Sequence, residues 1–369
     1  MSEHSLYRRI IAGEAGLWVF PVRAMLRVLE GLYARGVALR NTRYDRSGPR
    51  AVLDIPVISV GNLTVGGTGK TPFVIELVKR LDRMGLSPAV VSRGYKAAEG
   101  QPNDEERLIR ESCPSVVCIC DPDRAAAGQF ARTKFGADVI VLDDGFQHRQ
   151  LARTLDIVLI DATCPFGFGH LLPRGLLREP VGSLRRAQIV VLTRCDQVSS
   201  AALSRVEARL RNVECGRGKA EDGRRNSSFT IPPSPFTILQ CTHRVTSVDR
   251  LDDTPLASPL EGKRAVVFAG IGHPGAFLTT VRSLGVEVVG QRFWPDHHRY
   301  TPRDISTLRR PGRFPPHDLL ITTEKDAVKL VALDGVDLTG VAVVRVAIDF
   351  KGDGGTMLQT ALERALGKS

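Results

Sequence analysis

A glycine-rich segment lies between a predicted buried strand and a predicted helix. Residues 60–72 read VGNLTVGGTGKTP, after the apolar run 55–60 and before a helical pattern over 73–81. Strand, glycine loop and helix in this order are the context of a Walker A loop, whose backbone N–H groups approach phosphate oxygens at the positive end of a helix. The segment therefore predicts an α/β fold that binds a nucleoside triphosphate.

Individual positions of this loop have predicted roles. We expect Lys70 to reach the β- and γ-phosphates and Thr71 to hold a Mg²⁺ ion. The consensus motif has glycine at position 64, where this chain has Thr64, so the loop is a variant. A glycine turn with a chance lysine is the alternative, and the strand-to-helix position argues against it. The predicted nucleotide-binding residues are Thr64, Val65, Gly66, Gly67, Thr68, Gly69, Lys70 and Thr71.

Short apolar strands alternate with helical segments along the rest of the chain. This pattern predicts a parallel sheet with helices on both faces. The predicted strands cover 55–60, 88–95, 115–120, 139–142, 156–161, 187–193, 265–270, 286–290 and 319–322.

The length of 369 residues is typical of two domains. Residues 214–235 lack apolar periodicity and predict a flexible connection. The predicted architecture is α/β, with an N-terminal amphipathic helix in 1–46 and a P-loop NTPase-like parallel-sheet domain at 47–213. A linker at 214–236 and a second, smaller α/β domain at 237–369 complete it.

The net charge of +11 indicates an acidic partner, which composition alone leaves open among nucleic acid, an anionic membrane and a phosphorylated substrate. The chain contains no recognisable nucleic-acid-binding module, so we expect no nucleic-acid partner. Seven cysteines without a Cys-x-x-Cys pair favour reduced thiols in the cytoplasm. We find no signal peptide and no apolar run of about 18 residues.

The stretch from residue 5 to 40 combines apolar residues at helical spacing with many arginines. A basic amphipathic helix with a tryptophan on its apolar face fits a helix in the membrane interface. A helix docked on the core with a solvated arginine face fits equally well, and both alternatives stay open. The apolar positions are Leu17, Trp18, Val22, Met25, Leu26, Leu29, Leu32 and Tyr33, and the arginines are Arg8, Arg9, Arg23, Arg27, Arg35, Arg40 and Arg43.

Two acidic motifs follow predicted strands. Asp143 and Asp144 end the fourth strand, the position of a Walker B carboxylate, and two adjacent carboxylates there favour a nearby cation over a plain polar turn. Residues 193–196, Thr-Arg-Cys-Asp, follow the sixth strand and partly match the motif with which GTPases bind guanine, although its Asn and Lys are absent. A regulatory P-loop GTPase is therefore the alternative function.

Other polar residues are ambiguous on their own. Asp104 and Glu105 are typical of an acidic helix start. Arg124 follows the third strand and faces either phosphate or a neighbouring carboxylate. Residues 166–180 are rich in glycine, apolar residues and arginine, which fits a loop for an apolar, phosphorylated substrate or a plain surface loop.

The segment 293–300 places His297 and His298 beside Asp296. The chain offers no further ligands at zinc-site spacing, so an imidazole oriented by a carboxylate for proton transfer is the favoured function. A packed histidine is the alternative. Residues 323–326 are most simply a capped helix start.

These motifs, in this order, resemble the tetraacyldisaccharide 4′-kinase family of lipid A biosynthesis. The resemblance covers about residues 15–350, and Thr64 is normal for it. The matching motifs are SVGN at 59–62, GGTGKTP at 66–72, SRGY at 92–95, DDGFQH at 143–148, LREP at 177–180, AGIGHP at 269–274, DH at 296–297 and TEKDA at 323–327.

The resemblance implies transfer of the γ-phosphate of ATP, with Mg²⁺, to the 4′-hydroxyl of an acylated glucosamine disaccharide 1-phosphate. It also implies the cytoplasmic face of the bacterial inner membrane and an N-terminal membrane-associating helix within 1–46. We therefore expect an anionic membrane surface as partner, and we expect no obligate protein partner. The implied catalytic residues are Asp104, His297 and Asp296, although the family's Gly-Asp-Glu motif reads Asn103-Asp104-Glu105 here. The implied metal residues are Thr71, Asp143, Asp144 and Glu105, and the implied substrate or phosphate residues are Arg124, Arg178 and Glu179.

Overall fold

A computed structural model of the chain describes residues 3–14, 16, 19–94, 103–214, 236–252, 254–256, 260–333 and 335–367. Leu17, Trp18, Tyr95 and residues 215–235 of the predicted linker lie outside this part of the chain.

The described residues form an α/β fold, as predicted. The helices are α1 (Glu3–Ala12), α2 (Phe20–Ser47), α3 (Lys70–Arg83), α4 (Asp104–Ser112), α5 (Arg124–Phe135), α6 (Ser200–Glu214), α7 (Pro274–Arg282), α8 (Pro302–Arg309), α9 (Glu324–Leu330) and α10 (Gly354–Ala365). The strands are β1 (Val57–Asn62), β2 (Pro88–Ser92), β3 (Val117–Cys120), β4 (Val139–Asp143), β5 (Leu155–Asp161), β6 (Ile189–Thr193), β7 (Thr237–Arg250), β8 (Arg264–Ala269), β9 (Glu287–Phe293), β10 (Leu319–Thr323) and β11 (Val341–Phe350).

The strands form one sheet in the order β3-β2-β4-β1-β5-β6-β7-β11-β10-β8-β9. Its pairs are parallel except β7 with β11, which are antiparallel. The first residues of β7, Thr237 to Gln240, pair with β6, and Cys241 to Arg250 pair with β11. β7 thus joins both halves of the chain into a continuous sheet. Neither β7 nor β11 was predicted from the sequence.

Helix α3, which begins at Lys70, packs its apolar face against the sheet. Phe73, Val74, Leu77, Val78 and Leu81 are buried at spacings of three and four, because one face of a helix repeats at that period. The same hydrophobic core contains Leu358 and Leu362 of the C-terminal helix α10. Helix α10 therefore returns to the P-loop half, and the division into two domains stays a prediction.

Helix α2 lies on the outside of the P-loop half. Val37 is its buried residue, whereas Met25, Val28, Leu29, Leu32 and Leu39 form an exposed apolar stripe at helical spacing. Among the described residues, no helix is both long enough and apolar enough to cross a bilayer.

Helix α2 is tied to the loop at residues 166–180. The Leu171 amide donates to Glu30 Oε1 at 2.9 Å, and the Tyr33 hydroxyl donates to the Arg178 carbonyl at 3.0 Å. The exposed stripe is therefore fixed relative to the loop that the sequence analysis linked to the substrate.

Candidate active site

A cavity of about 720 Å³ lies between the P-loop and the second half of the chain. The carboxyl ends of parallel strands from both halves meet there, which is where open α/β sheets bind ligands. Its lining includes residues of both halves of the chain: Gly66, Gly67, Gly69, Lys70, Thr71, Glu105, Asp143, Asp144, Arg178, Arg194, His243, Gly272, Asp296, His297 and Lys325.

The P-loop contains a backbone conformation that glycine adopts more readily than other residues. Gly69 caps α3 with φ 85°, in the left-handed region that favours glycine, and a Cβ there would lie 2.5 Å from His243 Nε2. Thr64 instead pairs with Leu177 in an antiparallel bridge and is not among the described residues with positive φ. Position 64 therefore needs no glycine, which explains the variant motif.

Neighbouring segments support the loop. The Val65 amide donates to the Leu176 carbonyl at 2.7 Å, and the Thr193 hydroxyl donates to the Thr68 carbonyl at 3.0 Å. Residue 193, the first of the Thr-Arg-Cys-Asp motif, thus braces the P-loop. The next residue, Arg194, pairs with the buried Asp161.

A glycine loop from the second half lies directly on the P-loop. A Cβ on Gly272 would lie 2.5 Å from the Gly67 backbone nitrogen, so only glycine permits this approach. Nearby, His273 Nε2 lies 3.3 Å from the Thr163 hydroxyl, and Gln197 donates to the Ala276 carbonyl at 3.3 Å. Neither Gly272 nor His243 has a role predicted from the sequence, because a close approach between distant segments leaves no local signal.

Two adjacent carboxylates at the end of β4 have opposite electrostatic environments. Burial raises the pKa of Asp143 to about 6, aided by the negative charges of Asp144 and Glu105 and opposed by Lys70. Burial also acts to raise the pKa of Asp144, but Lys70 and Arg178 outweigh it and hold this pKa well below its usual range. Lys70 Nζ lies 3.5 Å and Arg178 Nη1 2.8 Å from the Asp144 carboxylate.

These carboxylates suit a divalent cation bound together with phosphates. Asp143 Oδ1 is buried and has no hydrogen-bond partner among the described residues. No three His, Cys, Asp or Glu side chains of the described part of the chain gather as a metal cage. Mg²⁺ typically uses one or two carboxylates plus substrate phosphates rather than such a cage. Thr71, Asp143 and Asp144 therefore fit the predicted Mg²⁺ site.

On the opposite wall, His297 meets Asp104 across 193 positions of sequence, with Nδ1 3.3 Å from Asp104 Oδ2. Asn103 caps α4 by accepting from the Glu106 amide at 2.7 Å, which places Asp104 in the first turn. Burial acts to raise the pKa of Asp104, but the hydrogen bond with His297 and the charges of Lys329 and Lys325 lower it overall. His297 lines the cavity, whereas Asp104 is reached through its contact with His297 and is not a lining residue.

Backbone strain concentrates around the cavity. Asp144, Arg194 and His297 have φ of 55°, 56° and 62°, a region that non-glycine residues rarely adopt, and all three line the cavity. Such residues cluster at functional sites, where the surrounding structure holds them.

Three predicted site residues have other neighbours. Glu105 contacts Lys325 at 2.8 Å, so its metal role stays a prediction. Arg124 is buried behind the cavity and donates to the Asp144 carbonyl at 3.0 Å. Glu179 is fully buried and accepts from Arg40 at 2.9 Å and from Arg186 at 2.8 Å, away from the cavity lining. The substrate roles of Arg124 and Glu179 also stay predictions.

Comparison with known proteins identifies relatives across the whole fold. The LpxK family model, tetraacyldisaccharide-1-P 4′-kinase, matches residues 22–366. The tetraacyldisaccharide 4′-kinase of Anaeromyxobacter sp. (strain Fw109-5) is 41% identical over 336 residues, covering 85% of this chain and 84% of that protein. That of Syntrophus aciditrophicus (strain SB) is 39% identical over 337 residues, covering 86% and 87%.

A solved structure agrees with these relatives. The crystal structure of LpxK from Aquifex aeolicus in complex with ATP matches with a TM-score of 0.66 and 26% identity, covering 94% of this chain and 99% of that one. The chain belongs to the tetraacyldisaccharide-1-phosphate 4′-kinase family.

Proposed function

We propose that the protein transfers the γ-phosphate of ATP to the 4′-hydroxyl of a tetraacyldisaccharide 1-phosphate lipid in lipid A biosynthesis. One observation carries the proposal: a single cavity is lined by Lys70 and Asp144 on one wall and by His297, paired with Asp104, on the other. A phosphate-binding wall that faces a proton-accepting pair is the arrangement that phosphoryl transfer to an alcohol needs.

The first half of the chain binds the donor. Backbone N–H groups of residues 66–71 and the Lys70 ammonium hold the phosphates, and Arg178 keeps the Asp144 carboxylate in place. Thr71, Asp143 and Asp144 would hold Mg²⁺, which when bound neutralises charge on the phosphates. Fixed positive groups that line the cavity, such as Lys70, stabilise the charge of the transferring phosphoryl group.

The Asp104–His297 pair activates the acceptor. As the 4′-oxygen bonds to the γ-phosphorus, the bond from that phosphorus to the bridging oxygen breaks and ADP leaves. The hydroxyl proton passes to the pair, whose 3.3 Å contact joins an imidazole to a carboxylate. Asp296 orients the pair by accepting from the His297 amide at 3.1 Å.

Helix α2 brings the enzyme to its lipid. The exposed stripe defined by Met25, Val28, Leu29, Leu32 and Leu39 would enter the interface of the cytoplasmic face of the inner membrane. The exposed Arg27, Arg35 and Arg43 on the same helix would attract anionic headgroups. The contacts of Glu30 and Tyr33 with the loop at 166–180 would keep this surface next to the cavity.

The assay uses purified protein, ATP, Mg²⁺ and the disaccharide 1-phosphate lipid in mixed micelles, with product identified by mass. We expect a gain of one phosphate, and no gain with a matched acceptor whose 4′-hydroxyl is already phosphorylated. Phosphorylation of both acceptors would refute the assigned position. Hydrolysis of GTP without any acceptor, and no lipid product, would favour the regulatory GTPase instead.

A further inference from the structure

Lys325 connects the two halves of the cavity through two carboxylates. Its Nζ lies 2.8 Å from Glu105 Oε1 on α4 and 3.1 Å from Asp296 Oδ1, which precedes His297. The side chain is mostly buried, at 18% exposure. Burial lowers the pKa of Lys325, but Glu105 and Asp296 outweigh it and raise this pKa overall, so the side chain stays charged.

Local helix preference does not explain this lysine. Lys325 is the second residue of α9, where a cation opposes the helix dipole and an acidic residue is preferred. Its two carboxylate partners come from other elements, so its position is set by tertiary contacts. Contacts at the cavity, and not the stability of α9, therefore account for a lysine at this position.

The same two carboxylates flank the histidine of the catalytic pair. His297 Nε2 lies 3.5 Å from Glu105 Oε1 and 3.8 Å from Asp296 Oδ2, while Nδ1 faces Asp104. Without a cation between them, Glu105 and Asp296 would repel each other across the imidazole. His297 also has a left-handed backbone, with φ of 62°, which persists only where neighbours hold it.

We propose that Lys325 is a positioning residue that bridges Glu105 and Asp296 and thereby keeps His297 in contact with Asp104. The inference rests on the proposed kinase function and extends it, because it assigns the residue that aligns the catalytic pair across the two halves. Lys325 acts through His297 and not on the donor phosphates, since two of its three N–H donors already point at carboxylates.

The kinetic test is a double-mutant cycle. We expect Lys325→Met to lower kcat by about 10- to 100-fold, part of what an acid–base pair contributes, with the KM for ATP within about threefold of wild type. In the His297→Ala background, Lys325→Met should cost less than about threefold more, because the residue through which it acts is gone. Lys325→Arg should retain most activity, since a guanidinium can bridge two carboxylates. Lys134→Met, on the exposed surface of α5, is the matched charge-removal control.

A second measurement does not depend on catalysis. Hydrogen exchange of the amides of α4 and of residues 296–298 should be faster in Lys325→Met than in wild type and unchanged in Lys134→Met. Lys325→Gln replaces Lys325→Met in both experiments if the latter does not fold. If the wild-type protein does not phosphorylate the lipid, the proposed function fails. The exchange comparison still decides whether Lys325 stabilises α4 and residues 296–298.

Two results would overturn the inference. Equal losses from Lys325→Met with and without His297, or a large rise in the KM for ATP, would place Lys325 directly on the donor phosphates. Unchanged kcat and unchanged hydrogen exchange in Lys325→Met would show that the contacts of Lys325 do not align His297 with Asp104.

Discussion

Replacing Asp143 with asparagine should stabilise the metal-free protein while it removes activity. The folded protein raises the pKa of this carboxyl from 3.8 to about 6, mainly by burial, and its Oδ1 has no hydrogen-bond partner among the described residues. Folding therefore disfavours the ionised form of Asp143. The shift to about 6 corresponds to about 3 kcal/mol of unfolding free energy at neutral pH, which the neutral amide avoids.

The pH dependence follows from the sign of that shift. Because the folded state binds this proton more tightly than the unfolded state, the destabilisation is absent below about pH 4. It grows as the pH rises through the interval from 3.8 to about 6 and is complete above that range. The advantage of Asp143→Asn should therefore be about 3 kcal/mol at pH 8 and close to zero near pH 4.

The assay is unfolding by urea at both pH values, with EDTA and without nucleotide, for wild type, Asp143→Asn and Asp144→Asn. Asp144→Asn is the matched control and should be destabilising at pH 8, because Lys70 and Arg178 hold the pKa of Asp144 below its usual range. Added Mg²⁺ and ATP should stabilise wild type more than Asp143→Asn, since ligands stabilise the state that binds them. The reasoning would be refuted if Asp143→Asn were less stable than wild type at pH 8. It would also be refuted if the free energy of unfolding of Asp143→Asn differed from that of wild type by the same amount at both pH values.

Three further predictions concern the rest of the molecule. Thr64→Gly, which restores the consensus loop, should lower stability by about 1 kcal/mol without raising activity, because Thr64 has ordinary backbone geometry; higher activity would contradict this. Glu179→Ala should cost about 3 kcal/mol in unfolding free energy, because Arg40 and Arg186 lose a shared buried carboxylate, and an unchanged unfolding midpoint would argue against it. Leu32→Glu, at a position 59% exposed, should weaken sedimentation with anionic vesicles without lowering the unfolding midpoint. Val52→Glu, 76% exposed but outside α2, is its control and should leave sedimentation unchanged.

The strands and the helix around the donor side could be predicted because a local sequence pattern marks each of them. The P-loop follows β1, and the carboxylate pair begins with Asp143 at the end of β4. The structure confirms as strands the apolar runs that mark these two positions. The parallel order then brings Asp143 next to the P-loop, because β4 pairs directly with β1.

The residues of the acceptor side come from distant parts of the sequence, so no single segment predicts their contacts. Asp104 alone indicates a helix start, and the structure confirms that it begins α4. Its contact with His297, 193 positions away, was implied only by the family resemblance. Strand β7 was missed because it is only partly buried and carries polar residues among its apolar ones, so no continuous apolar run marks it. Gly272 was given no role because its contact with Gly67 depends on how the two halves meet.

The most direct test of the central claim compares phosphate transfer with ATP binding in wild type, Asp104→Ala and His297→Ala. The wild-type protein should move label from γ-³²P-ATP to the disaccharide lipid. Each variant should lower kcat by roughly 10²- to 10⁴-fold while the Kd for ATP stays within about threefold, because the pair handles the acceptor proton and not the donor. A wild-type protein that does not label the lipid, or variants that label it at the wild-type rate, would contradict the account.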